Sequence, residues 1–548
     1  MGRGAISNVV VPAEIDQVLA RYRSALKQID QGGTAYKAGR LEAAQQELYR
    51  LSLPSSLGVA VLLLQELLQD CADAIFRGVL IGGTRPGMLV CFEGLVKMDR
   101  LERGVLEPLT RWGDPDAPPA DPHQLRLWLE TMATAAGDVS IVRTVGEAAE
   151  AALGGEVILL VDGFDLALKL GLTGWEQRGI EEPISESYIR GPRDGFVETL
   201  RTNTAQIRRR LQSPHLKVET YIVGRRTRTT VNLIYLKDVA SPNVAAEIRR
   251  RLRSIDIDGV MDVGMLEEFL EDQPSSLFPQ LNNTERPDRV VAALLAGQLA
   301  VLADGSPFAL LAPATFWSFL HAGEDYYERF WIGTFLLWLR YLFLVVALTL
   351  PAFYVALTTF HAEMLPTALL LSISAAREGI PFPALTEILF MEVFFEVLRE
   401  AGVRLPRPVG QAVSIVGALV IGEAAVRAGL VSAPVVITVA ATGIASFTFP
   451  RFDLGIAVRL LRFPLILLAG LMGLFGITVG VTVILIHLCA LRSFGVPYLQ
   501  PLAPLTWTGL KDVLLRAPLW MMVERTPGMG SLNPRRLAWR FRAPRKRS

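Results

Sequence analysis

Glu423 and Arg427 stand four residues apart inside an otherwise apolar run, Val409–Leu430. On a helix they are neighbours and can pair, which lowers the cost of holding either in lipid. An ionisable residue in a crossing helix normally faces protein or water, and is a functional candidate for that reason. Gly410, Ser414, Ala418 and Gly422 recur four apart in the same run, giving one narrow face on which a neighbouring helix can pack closely. About 100–150° round the helix from that stripe come Val416, Val420, Glu423 and Arg427. The pattern predicts an ion path, with Val416 and Val420 as an apolar constriction that gates by dewetting and Glu423 favouring cations beyond it. The competing reading puts Glu423 near the helix end, snorkelling with Arg427 into the headgroups. Glu392, Glu396 and Glu400 form a second set of carboxylates at i, i+4 and i+8 in the amphipathic stretch Leu385–Ala401. They share one helical face, and the helix either lies at the membrane interface, the preferred reading, or lines a wet cavity.

Enzyme chemistry finds no comparable pattern. The five histidines, His123, His215, His321, His361 and His487, are far apart, so no metal site is expected. There is no Gly-x-Ser-x-Gly elbow. Gly82–Gly87 has the outer glycines of a phosphate loop, but Met88 stands where a lysine must reach the phosphates. It reads as a turn before a strand, and no cofactor is expected. Arg208-Arg209-Arg210 closes a helical segment, where cations suit the negative end of the dipole. It reads as a solvated helix end, not a nucleic-acid patch. Cys71, Cys91 and Cys489 build no disulfide framework and suit a reducing compartment.

The elements that must position these residues divide the chain in two. The apolar fraction of 51% is concentrated after Glu328. A crossing helix needs about twenty apolar residues, and Trp331–Phe360, Val409–Leu430, the shorter Ala433–Phe449 and Phe463–Leu491 qualify. The last is long enough for a tilted helix or a broken pair, with Gly470, Gly473, Gly476 and Gly480 as break points. Leu365–Ala375 reads as a half-helix or re-entrant piece. Residues 525–548 carry eight Lys or Arg and no acid, so that tail is expected in the cytosol. The cluster Arg451, Arg459 and Arg462 reads as another inner loop. The first thirty residues lack the apolar core of a signal peptide, so the N-terminal half is expected in the cytosol too. Both ends inside require an even number of crossings, four to six.

An internal repeat organises the N-terminal half. Gly155–Leu168 and Gly297–Leu310, 142 residues apart, are identical at six of fourteen positions, including Asp162-Gly163 and Asp304-Gly305. Asp-Gly between apolar strands marks a tight hairpin. Leu89–Leu95 aligns with Leu233–Val239 at an offset of 144. The expected fold is an α/β soluble region of two similar subdomains followed by an all-α polytopic membrane domain. Its divisions are an N-terminal extension (1–50), subdomains at 51–180 and 183–315, membrane helices over 331–491 and a basic C-terminal tail (492–548).

Several strings carry a family resemblance: Pro183–Arg210 (PISESYIRGPRDGFVETLRTNTAQIRRR), Tyr221–Leu236, Ser275–Pro287, Arg377–Pro383, Val409–Ser432 and Ser493–Pro504. Across about 51–530 the chain resembles the A subunits of GerA-type spore germination receptors. The resemblance implies a non-enzymatic protein of the spore inner membrane. Its implied partners are a transporter-like B subunit, a lipoprotein C subunit, membrane lipid and further copies of itself. It further implies that nutrient binding is transduced into cation release, as by a ligand-gated channel. A SpoVAF-like accessory germination protein shares the same strings. A membrane transporter or a plain scaffold would also suit a chain of this layout, and the absence of a visible inverted repeat in the hydrophobic half weighs against a transporter.

Overall fold

The computed structural model describes residues 10–30, 35–110, 121–124, 127, 138–174, 183, 186, 188–404, 422–525 and 532–536. Helices α1 (Ala13–Asp30) and α2 (Ala35–Tyr49) open the chain and α3 (Leu57–Leu67) follows. Strands β1 (Ala74–Ile81) and β2 (Arg85–Phe92), a helical stretch over 98–110, β3 (Val139–Val142), α4 (Val145–Leu153), β4 (Val157–Val161) and β5 (Ala167–Leu170) complete a first sheet region. Thr144 caps α4: its hydroxyl accepts from the Glu147 backbone N–H while the Glu147 carboxylate reaches back, a reciprocal capping box.

The second sheet region repeats the plan with α5 (Leu200–Arg210), β6 (Leu216–Val223), β7 (Thr229–Leu236), α6 (Pro242–Ser254), α7 (Val263–Leu270), β8 (Asn282–Thr284), α8 (Pro287–Ala296), β9 (Leu299–Ala303) and β10 (Ala309–Ala312). The strand orders are β1-β2-β4-β5-β3 and β6-β7-β9-β10-β8, every named pair antiparallel. Registers match as well. Leu89 faces Leu159 in one sheet and Leu233 faces Val301 in the other. The change of offset from 142 to 144 falls in one turn, 82–84 between β1 and β2 but 224–228 between β6 and β7. Gly163 and Gly305 adopt the same left-handed backbone, φ 87° and 86°, as the Asp-Gly turns require.

Alternation along the strands gives each sheet two covered faces. Val90 and Phe92 pack with α3, α4 and the opening helices, while Leu89 and Cys91 pack with Leu101, Val105 and Leu109. In the second sheet Ile234 and Leu236 meet α5 and α8, and Leu233 and Tyr235 meet α6 and α7. The described part of residues 1–50 is two helices whose Leu19, Tyr22, Ile29, Leu41 and Leu48 join the first core.

Arg208 corrects the solvated-end reading of the three-arginine run. It is buried and bidentate on Asp73, at 2.9 and 2.8 Å, with its guanidinium 4.6 Å from the Phe92 ring centre. A helix end that abuts another sheet is not a solvated one. Here the two sheets are joined by the Cys71–Val218 bridge, and the Val218 N–H donates to Asp70 O at 2.9 Å. Arg210 does pair near the surface, with Asp194.

After the second sheet come α9 (Phe330–Thr359), α10 (Thr367–Arg377), α11 (Ala384–Arg404), α12 (Gly422–Arg427), α13 (Ala433–Ser446) and α14 (Phe452–Ala490). Two of the described helices, α9 and α14, are long and apolar enough to cross a membrane. α14 is broken at Gly473, φ 62° and ψ −140°, and the chain folds back on itself there. A Cβ at Gly476 would lie 2.1 Å from Leu468 O and one at Gly480 2.4 Å from Leu465 Cδ2, so only glycines allow the arms so close. The broken-pair reading describes this segment. Its tip lies by the end of α9, where Gly473 approaches His361 and Phe360. Its base lies by the second sheet, where the Ser276 hydroxyl and His487 Nε2 are 2.9 Å apart. The described residues after α14 pack back onto that sheet: the buried Tyr498 donates from its hydroxyl to Pro279 O at 2.7 Å, and Ser493 Oγ donates to Gln280 O at 2.7 Å.

Candidate functional site

The helical body is apolar outside and charged inside. α11 descends beside the first arm of α14 in antiparallel register, from Leu385 against Gly470 to Glu396 against Arg459. Glu392 and Glu396 therefore turn towards α14, while Glu400 is exposed. Glu392, 0% exposed, accepts from Arg462, 2% exposed, at 2.6 Å. One helical turn lower Glu396 accepts from Arg459 at 2.8 Å. Arg462 also donates through Nε to Ala347 O of α9 at 2.8 Å, and Arg399 donates to Ser446 Oγ of α13 at 2.6 Å. Two expectations are corrected. α11 does not turn its acidic face outward as a surface helix would, because Glu392 and Glu396 meet arginines of α14. Arg459 and Arg462 do not mark a loop, because they lie within α14.

Towards the sheets the ion pairs continue. Arg451, at the start of α14, donates to Glu186 Oε1 at 2.5 Å and to Asn283 O at 2.8 Å. Arg340, the one charge in the α9 run, donates to Asp325 at 2.5 and 3.0 Å. Burial pushes the Glu186 carboxyl upward against the pull of Arg289. A polar cavity of about 210 Å³, lined by Glu186, Arg289, Arg340 and Phe447 among others, occupies this junction. At the other end Glu387 accepts from Arg377 at 3.2 Å and from the Ser432 N–H at 2.9 Å.

Such pairs are costly. Desolvating two charges offsets most of their attraction, and a charge left alone in the interior is strongly destabilising. Ionisable groups inside a helical body of this kind mark a pathway or a switch. The arrangement can order water, hold charge of both signs and link the second sheet to the helices.

Of the residues singled out in sequence, Val416, Val420, Gly410, Ser414 and Ala418 lie outside the described residues. Gly422 is buried at the start of α12. Glu423 and Arg427 pair at 2.5 Å and are 56% and 78% exposed. The Glu392–Arg462 pair escaped the sequence reading, although its signal was present as acids and bases at helical spacing in two apolar segments.

A third feature of the junction titrates. Glu267 of α7 is pushed up to about 8, first by burial and then by the charges of Asp453, Glu271, Asp262 and Glu268. A carboxyl raised in the folded state binds its proton more tightly there than when unfolded. Stability from this group is therefore full below about pH 4.3 and declines as pH rises towards 8. Replacing Glu267 by Gln is expected to flatten the fall in melting temperature between pH 5 and 8. An unchanged pH profile would contradict the assignment.

The family described as Bacillus/Clostridium GerA spore germination protein matches residues 63–527. The chain is 47% identical to the "uncharacterized membrane protein YfkQ" of Bacillus subtilis, covering 84% of this chain and 89% of that protein. It is 44% identical to spore germination protein KA of the same organism, covering 83% of each. A crystal structure of the N-terminal domain of the A subunit of the Bacillus megaterium spore germinant receptor GerK3 is 31% identical, covering 48% of this chain and 98% of that one with a TM-score of 0.39.

Proposed function

We infer the function from one premise: the chain belongs to the GerA spore germination protein family. It is a germinant-receptor A subunit that passes a nutrient signal on to cation release from the spore. The observation that carries this reading is the span of the match, which runs without a break through both sheets and the helical body. The working partners are a transporter-like B subunit, a lipoprotein C subunit and further copies of this chain. The location is the spore inner membrane, with both termini on the cytosolic side.

The domain plan is that set out from the sequence, with subdomains at 51–180 and 183–315 and membrane helices over 331–491. Six passages through the bilayer fit both termini on one side. α9, α11, α13 and the two arms of α14 supply five, and Val409–Leu430 is the sixth. Val416 and Val420 form the constriction on that last segment, with Glu423 and Arg427 at its end. Gly410, Ser414, Ala418 and Gly422 are its packing face. The Glu423–Arg427 pair, exposed in the single chain, is then covered by a neighbouring copy.

Deleting the gene and restoring it tests the role. Spores lacking the chain should lose the response to one class of nutrient while germinating normally with others. A slower response to every nutrient would instead assign the chain to the SpoVAF-like accessory proteins. An unaltered response to all nutrients would contradict both.

A further inference from the structure

Of the buried side-chain polar atoms that find no hydrogen-bond partner among the described residues, seven belong to six charged residues on α11, α14 and the junction: Glu186 Oε2, Arg451 Nε and Nη2, Arg399 Nε, Glu396 Oε1, Arg462 Nη2 and Glu392 Oε1. They are not scattered. Glu186 lines the junction cavity, and Arg451 is bonded to it. Phe447 also lines the cavity and lies under the Arg399 guanidinium, 4.8 Å from ring centre to charge. Arg399 is in turn 4.0 Å from Glu396, and Glu392 and Arg462 follow one turn further in. Each such atom left dry is costly, the more so when charged. Seven together would take up a large part of the margin by which a protein is folded. Buried groups of this kind are normally met by ordered water with two to four polar partners.

We propose that each copy of the chain contains a water-filled half-channel. It opens from the junction cavity on the sheet side, passes Arg399 and Glu396 and ends at the Glu392–Arg462 pair. Beyond that pair Val355, Ile388, Val435, Val439, Leu465 and Ile466 pack together beneath Glu387, which is held by Arg377 and Ser432, and this plug closes the far side. Water and protons from the sheet side reach Glu392 by this route. Access to Glu392 by this route does not rest on ion conduction by Val409–Leu430.

Thiol accessibility in membrane vesicles tests it, with Cys489, the exposed native thiol, replaced by Ser. Ser446→Cys puts a thiol beside Arg399, and Glu396→Cys puts one deeper. Ile437→Cys, on the outer face of α13 at 68% exposure, is the lipid-facing control. The probe is the membrane-impermeant cation 2-(trimethylammonium)ethyl methanethiosulfonate, read by mass shift of the full-length chain. Added to the sheet side, it should modify Ser446→Cys and Glu396→Cys at least tenfold faster than Ile437→Cys. Added to the opposite side, it should modify neither. Rates no faster than the control overturn the half-channel, and labelling from the far side overturns its closed end. Should Glu396→Cys not accumulate in membranes, Ser446→Cys decides alone. The assay reads access and not conduction, so it can fail while the receptor reading stands.

Discussion

Glu392→Ala is expected to destabilise the full-length protein by about 3–5 kcal/mol, because it strands a buried guanidinium. Arg462 would keep its bond to Ala347 O and the ordered water at the blind end of the half-channel, but no carboxylate would balance its charge. Arg462→Ala should cost a similar amount for the mirror-image reason. The double change Glu392→Leu with Arg462→Met should recover most of the loss, since apolar side chains of like volume can replace a buried pair at little cost. Glu396→Ala is the comparison. Its side chain is 26% exposed and that of its partner 14%, so water can replace part of the attraction and the loss should be about 1 kcal/mol. Thermal unfolding in detergent measures all four variants. Equal losses for Glu392→Ala and Glu396→Ala would mean that the inner pair is as wet as the outer one.

The joint between the two sheets should be as sensitive. Asp73→Ala removes both carboxylate bonds from Arg208, whose side chain is 1% exposed, and is expected to cost about 3–5 kcal/mol. Arg208→Lys should recover little, because an ammonium cannot make the two parallel bonds or lie flat on Phe92. Glu102→Ala removes the partner of Arg77 in a pair that is 47% and 55% exposed and should change stability by less than about 1 kcal/mol. Hydrogen exchange at the Cys71–Val218 bridge locates the effect. Protection unchanged there in Asp73→Ala would show that the pair does not hold the sheets together.

The sheets were legible because their signals are local. An Asp-Gly turn needs two residues of particular backbone freedom, and strand alternation states which side chains face which core. The 142- and 144-residue offsets were therefore enough to pair Leu89 with Leu233, and the strand registers agree. The break in α14 was legible as a set of four glycines. Which one breaks it depends on the end of α9 beside Gly473.

The charged interior was not legible, and the reason is physical. An amphipathic pattern states that one face of α11 is polar but not what that face meets. Its partners Arg459 and Arg462 lie 63 and 70 residues further on, in a segment whose mean character is apolar. Arg208 misled in the opposite way. Three arginines at a helix end suit the dipole and solvent, and nothing within the helix reveals that a second sheet, carrying Asp73, covers one of them.

Cation release from intact spores tests the central reading most directly, namely that this chain passes a nutrient signal on to ion flux. Spores carrying Val416→Ala or Val420→Ala, with the protein at normal abundance, should release monovalent cations into nutrient-free medium, read with ion-selective electrodes. Glu423→Gln spores should release less than the wild type after nutrient is added. Release at wild-type levels in all three, with and without nutrient, would contradict it.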